Sequence, residues 1–263
     1  MAANPDARSL AVFCDFENIA LGVREAKYAN FDMEKVLERL LAKGSIVVKK
    51  AYCDWDRYKE FKVAMHGASF ELIEIPHVRQ SGKNSADIRM VVDALDLCYT
   101  KEHVDTFVIV SGDSDFSPLV SKLRENAKLV IGVGVKNSSS DLLINNCDEF
   151  IYYDDLVRAD EQKRRAAKKR KDASPSGDEK KDKKQEAFDL MLGTLEALIA
   201  ERGADEKIWG SMVKQALKRR HPGFNETYYG FRAFADLLKE AQQKGLIKLD
   251  PDEKSGGYIL RPA

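Results

Sequence analysis

From Leu10 to about Tyr153, short runs of β-branched and aromatic residues alternate with longer amphipathic stretches. The runs are Leu10 to Cys14, Ile46 to Cys53, Phe70 to Ile75, Phe107 to Val110, Leu129 to Val133 and Phe150 to Tyr153. Most are nearly continuous in Val, Ile and Phe, as strands covered on both faces are, and helical stretches between them serve as crossovers. The pattern predicts an α/β fold with a mostly parallel sheet flanked by helices. One helix is predicted from an Asp32 cap to Ala42 with Gly44 ending it, and another from Asp56 to His66 with Gly67 at its end. A third carries an apolar stripe, Ile88, Val91, Val92, Leu95 and Tyr99, which is expected to face the sheet.

The pattern changes abruptly at Asp160. To about Gln185 the chain is rich in lysine and arginine, broken by Ser174, Pro175, Ser176 and Gly177, and it has no apolar period from which to build a core. This reads as a basic, solvated linker that can also hold nucleic acid as an arm. Beyond it, Phe188, Leu192, Leu195, Leu198 and Ile199 recur at helical spacing. Helices follow at Ile208 to Leu217 and Phe231 to Lys244, and two short strands, Leu246 to Leu249 and Tyr258 to Leu260, flank a polar turn. Three helices plus a β-hairpin suggest a small winged-helix domain. The expected division is therefore residues 1–158, a linker at 159–185, and residues 186–263.

Lys plus Arg and Asp plus Glu both total 43, so no bulk charge announces a polyanionic partner, and contact with nucleic acid must come from local patches. No apolar segment is long enough to span a membrane and Met1 to Ser9 carries no export pattern, so the expectation is a cytoplasmic protein. Cys14, Cys53, Cys98 and Cys147 lie in or beside apolar runs without Cys-x-x-Cys spacing and read as reduced structural thiols. His66, His77, His103 and His221 lack metal or triad spacing.

The candidate chemistry lies in acids placed after strands. Cutting a phosphodiester without a covalent intermediate needs hard cations, hard cations need carboxylate oxygens, and ligands of an open parallel sheet gather at the carboxyl ends of its strands. Asp15 directly follows the first run, with Glu17 and Asn18 just beyond; Asp113 and Asp115 follow Phe107 to Val110 through Ser111 and Gly112. Asp87 sits in the first turn of the third helix at the margin of its stripe, whereas Asp93 is expected to point away. A single acid after a strand is commonly a helix cap, and Asn18 suits capping a helix from Ile19 as well as orienting a phosphate or water. Several acids meeting at one edge repel one another unless a cation or shared proton compensates, so together they favour a site. The basic stretch from His77 to Ser85, with Arg79 and Lys83, could grip a phosphate backbone or be a plain solvated loop. Gly132 and Gly134 match a dinucleotide-binding turn only in part, with Asn137 at its third position.

Asp15-Phe16-Glu17-Asn18, Lys83 with Asp87, and Ser111-Gly112-Asp113-Ser114-Asp115-Phe116 together resemble the NYN domain family, over about Leu10 to Leu156. The run from Ser138 through Asp141 and Asp148 to Phe150 is similar to the family's closing segment. The resemblance implies a PIN-like, magnesium- or manganese-dependent ribonuclease acting on RNA. Asp15, Asp87, Asp113 and Asp115 would be its metal-site acids, Asn18 an assistant and Ser111 an orienting group. Gln185 to Arg261 resembles the OST-HTH/LOTUS domain through Trp209, Ser211, Val213, Lys214, Pro222-Gly223-Phe224, Tyr229-Gly230-Phe231 and Phe234. That resemblance implies a winged helix that binds RNA or docks a protein partner. Lys214, Lys218, Arg219 and Arg220 put positive charge along and just beyond one of its helices, and Tyr228 and Tyr229 are expected in its core first. Self-association is a further expectation. The rival reading is a catalytically silent RNA-binding adaptor or regulatory scaffold. A Toprim-like phosphotransfer domain ranks last, since Asp15 stands where a Glu would be needed.

Overall fold

The computed structural model describes residues 8–28, 31–75, 85–161, 179–203, 206–251 and 257–263. The chain divides into two compact units, Met1–Leu37 with Ser45–Ala167, and Glu38–Gly44 with Lys168–Ala263. The stretch holding Arg79 and Lys83, and most of the basic linker, lie outside the described residues.

The first unit is a six-stranded sheet in the order β3-β2-β1-β4-β5-β6. Its strands are β1 (Arg8–Asp15), β2 (Gly44–Cys53), β3 (Glu71–Glu74), β4 (Thr106–Val110), β5 (Leu129–Gly134) and β6 (Glu149–Tyr152). All six coincide with the apolar runs. β1 and β4 pair in parallel, with Cys14 opposite Val110, and β2–β3, β4–β5 and β5–β6 are parallel as well. Leu10 to Cys14 and Phe107 to Val110 are wholly inaccessible, as expected of central strands covered on both faces. The first unit's helices are α1 (Phe16–Glu25), the first half of α2 (Met33–Lys43, whose residues from Glu38 on are assigned to the second unit), α3 (Lys59–Gly67), α4 (Ser85–Thr100), α5 (Ser117–Glu125), α6 (Asp141–Asn146) and α7 (residues 153–161).

Three local expectations need correction. Helix α1 begins at Phe16, so its cap is Asp15, whose side chain accepts from the Asn18 N–H; Asn18 lies within the first turn. Helix α3 begins at Lys59, because the Asp54 carboxylate accepts from the Asp56 N–H and holds that stretch in a turn. Helix α4 is rotated about a third of a turn from the expected orientation, so that Val91 and Leu95 of the expected stripe still pack against the core. Met90, Ala94 and Cys98 face the sheet, while Ile88, Val92 and Tyr99 stand 56–63% exposed. The helix packs on β1, and small or unbranched side chains let its backbone approach where β-branched ones would hold it off. Gly132 and Gly134 are packing glycines: a Cβ would meet the Phe150 ring at 2.4 Å in one case and Ser139 Oγ at 2.3 Å in the other.

The second unit contains α8 (Glu179–Arg202), α9 (Gly210–Arg220) and α10 (Phe234–Gln243), so helix begins within the stretch expected to be linker. A three-stranded sheet completes it, ordered β7 (Ile208–Trp209), β9 (Tyr258–Pro262), β8 (Ile247–Pro251), with both pairings antiparallel. One core joins Phe188, Leu195, Val213, Leu217, Phe224, Phe231, Phe234 and Leu260. None of the described helices is long and apolar enough to cross a membrane.

Candidate active site

Because Cys14 pairs with Val110, the next residues of the two strands, Asp15 and Ser111, emerge side by side at the carboxyl edge of the sheet. Ser111 Oγ donates to Asp15 Oδ2 at 3.0 Å and accepts from the Asp113 N–H at 3.2 Å, tying the first acid to the second acidic loop. Asn18 Oδ1 accepts from the Gly112 N–H at 2.8 Å, a second tie between α1 and that loop. Gly112 is required by close approach, since a Cβ would come within 2.4 Å of the Ser138 carbonyl oxygen and 2.9 Å of Ser139 Cα. The loop then turns on its own acid: Asp113 Oδ1 accepts from the Asp115 N–H at 3.0 Å. Asp15 is 7% exposed, Asp113 half-buried and Asp115 exposed at the rim.

Electrostatics draws Asp87 into the same group. Burial pushes the Asp15 carboxyl up to about 7, with the charges of Asp87 and Asp113 adding to it and the hydrogen bonds from Asn18 and Ser111 pulling back. Asp87 is pushed up to about 6 by burial, then by the charges of Asp113, Asp115 and Glu17. Among the described residues no salt bridge reaches Asp15, Asp87, Asp113 or Asp115, so their mutual repulsion is uncompensated there. Asp93, expected to point away, is instead 13% exposed against β2, where it accepts from the Tyr52 hydroxyl at 2.8 Å and Arg89 Nε at 3.0 Å. Burial raises its pKa, and Tyr52, Lys50 and Arg89 more than reverse this, leaving it below the usual carboxylate range. Glu17 bridges outward, its carboxylate 3.3 Å from Arg57.

Among the described residues no three or more His, Cys, Asp or Glu stand together closely enough to form a ready metal cage. The all-oxygen donor set nevertheless fits a magnesium-like ion, which commonly takes one or two carboxylates and completes its shell with water and substrate phosphate. It does not suit zinc. The cysteines are free; burial pushes Cys14, Cys53 and Cys98 up and Cys147 to about 11, as inert thiols require.

Residues 9–154, more than half of the chain, match the NYN domain model. The chain belongs to the NYN domain family. That places the first unit in the PIN-like nuclease superfamily. The chain is 30% identical over 125 residues to an uncharacterized protein of Methanocaldococcus jannaschii, covering 48% of this chain and 49% of that one. It is 26% identical over 148 residues to the meiosis regulator and mRNA stability factor 1 of Xenopus tropicalis, covering 56% of this chain and 9% of that one. The chain thus spans about half the length of the first relative and a small part of the second. A crystal structure of a protein of unknown function from Vibrio parahaemolyticus superimposes with a TM-score of 0.52 at 28% identity, over 59% of this chain and 98% of that one.

In the second unit the four basic candidates separate. Lys218 is exposed. Lys214 lies 2.9 Å from the Glu226 carboxylate, with its Nζ 5.9 Å over the Phe234 ring. Arg219 is half-buried, and Arg220 turns inward with a side chain 8% exposed, donating to the Gly193 carbonyl at 2.9 Å. Arg220 is thereby committed to packing. Tyr229 stacks on Phe224, as a core residue should, but Tyr228 is 62% exposed, with Lys183 Nζ 5.0 Å over its ring.

Proposed function

We propose that this NYN protein is a magnesium- or manganese-dependent ribonuclease that cuts endonucleolytically, with its second unit serving as an OST-HTH/LOTUS-type winged helix that adds RNA affinity. The observation that carries the reading is the gathering of Asp15, Asp87 and Asp113 at one sheet edge, where burial and neighbouring acid charges raise the pKa of Asp15 and of Asp87, with no cationic partner among the described residues. The name of the Xenopus relative, an mRNA stability factor, supports RNA as substrate.

One or two carboxylates from among Asp15, Asp87 and Asp113 would hold the ion at a time, with water and substrate phosphate completing its shell and Asp115 at the rim. A bound divalent cation supplies Lewis-acid activation of water and phosphate. Ser111 keeps Asp15 in one rotamer, and Asn18, through Gly112, holds the acidic loop in register with α1. Asn18 and Ser111 are therefore positioning residues. Lys218 and Tyr228 supply backbone and stacking contacts in the second unit, and the protein works in the cytoplasm.

The test is cleavage of labelled single-stranded and hairpin RNA by the full chain in magnesium, manganese or chelator, beside Asp113→Asn. Products that need metal and disappear in the variant, while RNA binding persists, are expected. RNA retention without products in any metal would replace this reading with the silent adaptor.

A further inference from the structure

A cavity of about 340 Å³ opens between α1, α3 and the chain that follows α1. Its size is in the range of small-ligand sites and suits one nucleotide rather than a helix or a protein loop. Two guanidinium groups, Arg24 and Arg57, line it with the rings of Tyr28, Tyr58 and Phe61, and Glu60 is the acid in the wall. Arg24 and Arg57 are exposed while the three rings are half-buried, so the walls are aromatic and the rim is cationic.

Three of the walls are held by contacts outside the cavity. Phe16, itself inaccessible, packs edge-on against Tyr58 at 5.8 Å and tilted against Phe61 at 5.1 Å between ring centroids. The Tyr28 hydroxyl donates to Asp154 at 3.0 Å, and its ring meets Tyr153 edge-on at 5.9 Å. Rings already fixed lose little freedom when a planar ligand slides between them. Stacking on aromatic faces tolerates any base, and arginine at the rim pairs with phosphate oxygens.

The cavity adjoins the acidic edge. Asp15 caps the same α1 that supplies Ala20 and Arg24, which lie about 8 and 14 Å further along the helix axis at 1.5 Å per residue. Glu17 spans the interval, feeling the Asp87 charge on one side and bonding Arg57 on the other. A strand whose phosphate lay at the acids would carry a neighbouring nucleotide to this opening.

We propose that the cavity is a nucleotide subsite, stacking one base of a single-stranded RNA against Tyr58, Phe61 or Tyr28 while Arg24 takes the adjoining backbone phosphate and Arg57, bridged to Glu17, frames the rim. The subsite rests on the RNA-cleaving reading for its place on the strand, but its occupancy can be read without cleavage.

The experiment uses the full chain in chelator with a short 4-thiouridine-substituted oligouridylate. The affinity is measured by anisotropy and the cross-linked peptide located by mass spectrometry. Arg24→Glu removes an exposed cation without touching the core, and Ala20→Phe fills the cavity while keeping every charge. Cross-links to the peptides carrying Tyr28, Tyr58 or Phe61 are expected, together with an affinity loss of about tenfold in each variant. Cross-links confined to other peptides, or affinity unchanged in both variants, would overturn the subsite even if metal-dependent cutting is found. Pocket-dependent binding by a protein that cuts nothing would leave the subsite standing and remove the nuclease instead.

Discussion

Asp87 and Asp93 flank the buried face of α4, less than two turns apart, yet the regions they enter are electrostatic opposites. Asp87 enters a cluster of acids and is pushed up to about 6; Asp93 meets Tyr52, Lys50 and Arg89 and is held below the usual carboxylate range. A folded chain gains by completing a buried polar network, as around Asp93. It loses by gathering like charges, as around Asp87, unless something outside the chain compensates. On the proposed reading the contrast separates a residue that serves stability from one that serves chemistry, and each side can be tested independently.

The largest expected effect is on catalysis. Asp87→Asn should lower metal-dependent RNA cleavage at least about a hundredfold, near 2.7 kcal/mol of transition-state stabilisation, without lowering the melting temperature in chelator. Asp93→Ala should leave cleavage near wild type but orphan the hydroxyl of Tyr52, a residue only 1% exposed. A cost of about 2 kcal/mol, or about 4–8 °C in melting temperature, follows. Cleavage lost in Asp93→Ala at an unchanged melting temperature would reverse the assignment.

A smaller effect has a definite sign with pH. Asp15 and Asp87 have folded pKa values of about 7 and about 6, above the ordinary carboxylate value, so between about pH 4 and 7 the native state binds more protons than the unfolded one. In chelator, stability of the first unit should therefore rise as pH is lowered from 7.5 towards 5. Asp93 acts oppositely: its contribution is present above the ordinary carboxylate pKa and is lost as pH falls through its depressed value. Calorimetry should find Asp15→Asn about 1 kcal/mol more stable than wild type at pH 7.5, with the gain vanishing near pH 5. A gain that persists at pH 5 would mean packing, not charge, separates the two proteins.

The parts of this arrangement legible in the sequence are those that composition decides. Strands buried on both faces must be apolar throughout, and Asp15 and Asp113 stand out because each follows such a strand. The orientation of α4 was hidden because both of its faces are apolar. Bulk favoured Ile88, Val92 and Tyr99, whereas close approach to β1 selects Met90, Ala94 and Cys98. Asp93 was misread with the helix. Ser111 showed only as a candidate orienting group, since its two hydrogen bonds depend on the β1–β4 register. The subsite aromatics were invisible for a different reason: Tyr28, Tyr58 and Phe61 read like core residues in sequence, and only the packed structure shows that all three line one cavity.

The smallest effect carries the contrast between paired and available charge into the second unit. A run of lysines and arginines counts as four cations in sequence, but a phosphate backbone gains only from cations free to release their counterions. Lys214 already has the Glu226 carboxylate 2.9 Å away and Arg220 is turned into the core, so removing either changes the fold before it changes RNA binding. Lys218 is exposed, and Tyr228 offers a ring that is 62% exposed. Lys218→Ala should weaken RNA binding about threefold in chelator and lower the slope of log affinity against log salt by about 1. Tyr228→Ala should weaken binding without changing that slope, because stacking releases no ions. Equal slope changes from Lys214→Ala and Lys218→Ala would show that the Glu226 pair opens on contact with RNA. In that event the pairing seen in the free protein would not distinguish structural from binding charges in this unit.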